Sequence, residues 1–107
     1  MTRPLEFALI PSIFNVTLTS PNTEFSQVLP IGTSRFLIHI RNAAANIKVA
    51  YVAGESGTNF ITVLGGEKYE EQMIFSETNN AITLYFQTPN ALSPIVEIVA
   101  WTTRPRF

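Results

Sequence analysis

The stretch RFLIHIR (residues 35–41) places Phe36, Ile38 and Ile40 at every second position. Successive side chains of a β-strand point to opposite faces, so this period of two predicts one buried face and one outward face. The outward face carries two arginines and His39, the one histidine of the chain. The stretch therefore predicts a strand in a sheet that buries one of its sides.

The same period recurs along the chain, in Phe14-Val16-Leu18, Ile47-Val49-Tyr51 and Ile82-Leu84-Phe86. Turn-forming residues separate these stretches at the spacing typical of an all-β domain. We expect an antiparallel β-sandwich of about eight strands, jelly-roll-like. A seven-stranded immunoglobulin-like sandwich is the alternative, although its cysteine–tryptophan–cysteine framework is missing. The predicted core is Phe36, Ile38, Ile40, Val49, Tyr51, Leu84 and Phe86.

The alternation and the turn signals together set the predicted strand boundaries. The strands are expected at 14–19, 24–29, 35–41, 47–52, 60–64, 67–75, 81–87 and 95–101. Gly65-Gly66 lies between the fifth and sixth strands. A two-residue type I′ turn needs positive φ at both central positions, so the two glycines predict a hairpin between those strands.

An extended N-terminal arm is predicted for residues 1–13, followed by a single sandwich domain at 14–107. Leu5, Phe7 and Leu9 alternate as in a strand, but Pro4 and Pro11 bracket them. Prolines confine such a segment to a sheet edge or an isolated extension. We expect the arm to dock on a neighbouring subunit, with packing on its own sandwich as the alternative.

Length and composition narrow the function classes. A chain of 107 residues is one domain, and without cysteine it does not rely on disulfides. A net charge of −1 gives no electrostatic reason to expect nucleic acid as a partner. No apolar stretch approaches the roughly 20 residues of a membrane helix, and no secretory pattern is present, so we expect a soluble protein. Only 14% of residues are charged against 46% hydrophobic, which favours a surface partly covered by another protein.

Catalytic chemistry is not expected. Nucleophilic catalysis needs a base that a third group orients. His39 shares its face with Arg35 and Arg41, and no carboxylate in that stretch orients it. A surface or interface role is therefore predicted for this histidine. With no cysteine and no aspartate in the chain, we also expect no metal site and no cofactor.

Glu97 interrupts the most apolar run of the chain, residues 95–99, and shares its face with Trp101. A charge in such a strand is often a device against edge-to-edge aggregation. Alternatively it is buried and paired with Arg35 or Arg41. Carbohydrate binding would need exposed aromatic side chains, and the candidates are few: Tyr69, Tyr85 and Trp101.

Several short patterns occur in a consistent order along residues 14–101. They are Thr23-Glu24-Phe25-Ser26 with Leu29-Pro30, Ser34-Arg35-Phe36 leading to Arg41, Gly65-Gly66 with Tyr69-Glu70, Thr83-Leu84-Tyr85-Phe86, and Val96-Glu97-Ile98 ending at Trp101. In these patterns the chain resembles small all-β structural proteins of tailed-phage virions. The resemblance implies a protein that coats or cements capsids, or that builds tails or adsorption apparatus, and it transfers no catalytic residues.

The expected function is therefore that of a non-enzymatic virion protein, first a capsid decoration or cement subunit and second a tail or adsorption component. A small carbohydrate-binding module is the alternative from another class. The expected partners are virion proteins and further copies of the chain, without nucleic acid or membrane, after synthesis in the host cytoplasm. The candidate interface residues are Leu5, Phe7, Leu9, Arg35, His39, Arg41, Glu97 and Trp101.

Overall fold

The structure, a computed structural model, describes residues 11–72 and 81–102. These residues form eight β-strands, which confirms the all-β prediction. The strands are β1 (Pro11–Thr17), β2 (Phe25–Val28), β3 (Thr33–Ile40), β4 (Ile47–Ala50), β5 (Ile61–Val63), β6 (Lys68–Gln72), β7 (Thr83–Gln87) and β8 (Ile95–Thr102). Each strand overlaps one of the stretches predicted from the apolar alternation.

The strands form two four-stranded antiparallel sheets, in the orders β1-β8-β3-β6 and β2-β7-β4-β5. The paired strands are nested in sequence. The innermost pair is β4–β5, and β3–β6, β2–β7 and β1–β8 follow outward. The eight-stranded sandwich is thus as predicted. The finer description, jelly-roll-like, stays a prediction that this order favours.

The core lies between the inward faces of the two sheets. Its largest members are Phe36 and Phe86, both fully buried, on β3 and β7. Six of the seven predicted core residues are buried. The prediction for Tyr51 is wrong, because its side chain is 44% exposed. The period of two continues through Tyr51, but β4 ends one residue earlier, at Ala50. The buried hydrophobic residues that the prediction left out are Leu18, Leu29, Ala45, Ile47, Ala50, Val63, Val96, Ile98 and Ala100.

The predicted boundary between arm and sandwich is displaced. β1 begins at Pro11, and residues 11–13 pair with β8, Pro11 opposite Trp101 and Ile13 opposite Val99. These three residues therefore belong to the sheet. Leu5, Phe7 and Leu9 lie outside the described residues, so the docking of the arm stays a prediction.

The predicted hairpin at Gly65-Gly66 is wrong, because β5 and β6 belong to different sheets. Glu67 N–H donates to the Leu64 carbonyl at 3.0 Å, so the glycines form a turn that leads from one sheet to the other. Only Gly66 of the two has a positive φ, +82°. Gly65 is needed for space, since a Cβ there would collide with the backbone carbonyls of Asn42 and Ala45.

Candidate interaction face

The outward side of the β1-β8-β3-β6 sheet, called the outer face below, collects the predicted interface residues. β8 and β3 are its two interior strands, and their register sets side chains opposite one another in rows. Three rows cross these strands: Trp101 with Arg35, Val99 with Leu37, and Glu97 with His39. Residues far apart in sequence are thereby brought onto one surface.

Glu97 accepts hydrogen bonds from two side chains of the β3 region. Its Oε1 lies 2.9 Å from His39 Nδ1, and its Oε2 lies 2.6 Å from Arg41 Nε. All three side chains are partly exposed, between 31% and 53%. The bond from His39, and then that from Arg41, hold the pKa of the Glu97 carboxyl below its usual range. Glu97 is therefore ionised at neutral pH and links the two basic side chains.

In this cluster His39 and Glu97 differ from what their sequence context predicts. We expected no carboxylate to orient His39, but β8 pairs with β3 and supplies Glu97. We also considered Glu97 as a charge guarding a sheet edge or as a buried ion pair. β8 is an interior strand, and the Glu97 side chain is 31% exposed, so neither description holds as stated. Of the two predicted arginine partners, Arg41 is the one that pairs.

Arg35 has different partners from those predicted. Its guanidinium carbon lies 4.0 Å from the centroid of the Trp101 ring, and its Nη1 lies 3.7 Å from Glu70 Oε2. A guanidinium over an indole face is a favourable cation–π arrangement. Beside this stack, Ser34, Arg35, Gln72 and Trp101 line an open pocket of about 240 Å³. One face of the Trp101 ring is therefore already occupied by the protein itself.

An apolar row separates the two polar clusters. Leu37 and Val99 are half-buried, although they point away from the core. Ile13 extends the row onto β1, opposite Val99, and is 67% exposed. The outer face thus has an apolar centre between the Arg35–Trp101–Glu70 group on one side and the His39–Glu97–Arg41 group on the other. Protein–protein interfaces commonly have this layout, with apolar residues inside a polar rim.

A second carboxylate organises a loop at the other sheet. Glu24 Oε2 accepts from the Gly54 backbone N–H at 2.9 Å, and Glu24 Oε1 accepts from the Ser56 hydroxyl at 2.6 Å. Ser56 is 1% exposed, and its hydroxyl also lies 2.9 Å from Gln87 Oε1. The Ser56 bond, and then that from Gly54, hold the pKa of Glu24 below its usual range. Glu24 therefore fixes the loop that follows β4.

Two tyrosines meet where β4 ends and β6 begins. The Tyr69 hydroxyl donates to Glu71 Oε1 at 3.0 Å, so the Tyr51 hydroxyl, 2.9 Å away, donates to Tyr69. Both rings pack against Phe36, with centroids 6.4 Å and 6.1 Å from it. Burial, more than any other cause, raises the pKa of both phenols. Both tyrosines thus remain neutral donors at physiological pH.

Five of the eight predicted interface residues share the outer face: Arg35, His39, Arg41, Glu97 and Trp101. The prediction missed Leu37, Val99 and Ile13, which form its apolar row. On β1 and β3 their sequence signal is an apolar residue beside polar residues of the outward face, whereas Val99 lies in a largely apolar run. The Glu24–Ser56 and Tyr51–Tyr69 contacts were also missed. They join residues 32 and 18 positions apart, which no local pattern indicates.

Comparisons with known proteins support the fold. The solution NMR structure of a de novo designed double-stranded beta-helix superposes with a TM-score of 0.51. The match covers 86% of this chain and 97% of the designed chain, with 15% sequence identity. At this identity the likeness shows a shared fold and nothing about function. No protein-family model and no curated protein matches the sequence.

Residues 11–72 and 81–102 show no metal-binding cluster and no membrane-spanning helix. Within these ranges, no group of three or more His, Cys, Asp or Glu side chains is placed to hold a metal ion. The same part of the chain contains no helix long and apolar enough to cross a membrane.

Proposed function

We propose that this protein is a non-enzymatic structural subunit of a phage virion and that it acts by protein–protein assembly, as a capsid decoration or cement subunit. The observation that carries the assembly role is the outer face, with the apolar row of Leu37, Val99 and Ile13 between two polar clusters. The virion assignment rests on the resemblance of the short sequence patterns in residues 14–101 to those of small phage structural proteins. Its partner is then the major capsid protein.

The outer face has the composition that supports binding energy in an interface. Arginine and tryptophan are enriched among the residues that contribute most to protein–protein affinity. Arg35 and Trp101 already form a stacked pair, so their side chains lose little conformational freedom when a partner covers them. The ion-paired rim at Glu97 adds specificity rather than raw affinity.

The experiment compares two lysine substitutions on interior strands. L37K places a charge in the centre of the outer face, and Y85K does so on the outward side of β7 in the opposite sheet. Both positions are half-buried, which makes Y85K the matched control. Wild-type protein and Y85K should sediment with phage heads that lack the protein, and L37K should not. Thermal unfolding of each variant confirms that it is folded.

Equal sedimentation of L37K and wild type would contradict assembly through this face. Sedimentation with tails and not with heads would favour the second assignment, a tail or adsorption component that uses the same surface. Failure to bind either particle would contradict the virion proposal.

The pocket beside Trp101 favours one further candidate, a small carbohydrate-binding module. Its lining combines an indole ring with polar groups from Ser34, Arg35 and Gln72, the types of residue that contact sugars. The Arg35 stack covers one ring face and reduces the surface left for a sugar. Glycan binding by the isolated protein that Q72A abolishes would favour the module, and its absence would favour the assembly role.

A further inference from the structure

The two sheets end in four edge strands among the described residues: β1 and β6 in one sheet, β2 and β5 in the other. An edge strand exposes unpaired N–H and C=O groups that can pair with another chain. Natural proteins block this pairing with short edges, charged side chains, proline or bulges.

Three edges carry such a device. β2 has four residues and β5 has three, so each offers few backbone groups. β6 has the sequence KYEEQ, with three charged side chains in five residues. β1 differs from all three, since it has seven residues with the sequence PSIFNVT and no charge. Its one proline stands at the first position and leaves the rest of the edge unprotected.

We propose that β1 pairs antiparallel with β1 of a second copy of this chain, so that the β1-β8-β3-β6 sheet continues across a twofold axis. Pairing about Phe14 lets all seven residues take part. Each Ile13 then faces Asn15 of the partner subunit, and the two Phe14 side chains face each other. The apolar row Leu37–Val99–Ile13 of one copy would then end against Asn15 of the partner subunit, and the apolar row of the second copy would lie two residues away along the strands.

The features of β1 fit a second copy as the occupant. A neutral strand pairs with itself without like-charge repulsion, which a β6–β6 contact would incur. Phe14 and Val16 are only partly buried against the core, and a strand added at this edge would cover them. Pro11 would lie opposite Thr17 of the partner subunit.

Lysine substitutions at two edge strands test the pairing in the full-length protein. I13K places a charge on the β1 edge, at a side chain that is 67% exposed. V28K does the same on β2, at a side chain that is 54% exposed, and serves as the control. Sedimentation equilibrium should show a concentration-dependent dimer for wild type and V28K, and a dimer several-fold weaker for I13K. A monomeric wild-type protein, or an I13K dimer as stable as wild type, would overturn the proposal.

The chain lacks cysteine, so single cysteines can report the register. In an oxidised mixture of I13C and N15C proteins, the mixed disulfide should form faster than either symmetric disulfide, because these two positions face each other across the axis. As the control, V28C protein is mixed with I13C or with N15C protein, and this mixed disulfide should form slowly. Cross-linking that does not depend on position would overturn the antiparallel pairing about Phe14.

Discussion

Glu97 and Glu24 are both carboxylates that receive hydrogen bonds across the fold, but they bond to different kinds of group. Glu97 accepts from the side chains of His39 and Arg41 on a surface that remains partly exposed. Glu24 accepts from the backbone N–H of Gly54 and from the buried hydroxyl of Ser56. Salt screens the exposed pairs of charges at Glu97 more than it screens the hydrogen bonds that Glu24 accepts from neutral donors. Glu24 should therefore stabilise the fold, whereas Glu97 arranges charges on a surface at little benefit to the isolated domain.

The largest loss of stability is expected from a substitution in the core, and the losses at the two carboxylates can be compared with it. Phe86 is fully buried on β7, and Phe86→Ala should lower the free energy of unfolding by about 3–5 kcal/mol, through lost burial and the cavity left behind. The denaturant midpoint measures the change. An unchanged midpoint would mean that the inward faces of the sheets are wrongly assigned.

Glu24→Ala should be the next largest loss, about 1–3 kcal/mol, because it removes a charged acceptor from three donors of the loop: the Gly54 N–H, the Ser56 N–H and the Ser56 hydroxyl. Urea unfolding would measure it. Glu55→Ala is the control, since it removes a charge from the same loop and leaves the Gly54 and Ser56 donors with their acceptor. If both variants lose the same stability, the Glu24 bonds do not anchor the loop.

The lowered pKa of Glu24 predicts that the stability of the protein depends on pH in the acid range. The Glu24 pKa is lowered on folding, so its contribution is complete above the ordinary value of 4.5 and is lost as pH falls through the lower folded pKa. Wild-type stability should therefore decline on acidification below that ordinary value. Glu24→Gln should flatten part of this decline in thermal unfolding measured against pH. An identical pH profile in the variant would show that the carboxylate has the same pKa in the unfolded chain.

Glu97→Gln should have the smallest effect, below about 1 kcal/mol, because exposed ion pairs contribute little to stability. Moderate salt should reduce even this difference between variant and wild type. Thermal unfolding at two ionic strengths is sufficient to test it. A loss as large as that of Glu24→Ala would remove the distinction between the two carboxylates.

The sequence predicts local features of this fold well. Alternation and turn signals depend only on neighbouring residues, and together they located all eight strands. Alternation also identified the buried side of β3, where Phe36, Ile38 and Ile40 lie. It also placed Arg35, His39 and Arg41 on one face, because residues two apart share a side of a strand. The same rule placed Glu97 and Trp101 together on β8.

Local sequence patterns do not predict which strands pair with one another. The pairing of β3 with β8 brings Glu97 to His39 across 58 positions, and nothing local to either residue indicates it. The glycines at 65 and 66 gave the signal of a hairpin, but the chain uses them to change sheets, with Gly65 fitted against the backbone of residues 42–45. Tyr51 kept the alternation of β4 yet lies beyond the last strand residue.

The nested strand pairs have a consequence for how the chain acquires its structure. β4 and β5 are close in sequence, so their pairing closes a short loop, whereas β1 pairs with β8, the strand farthest from it among the described residues. Each outer pair must close a longer loop, and non-local pairing of this kind slows folding. During synthesis β1 leaves the ribosome before β8. Until β8 is made, this strand without charged side chains has unpaired backbone groups along both of its edges. Aggregation of nascent or refolding chains should therefore begin at β1.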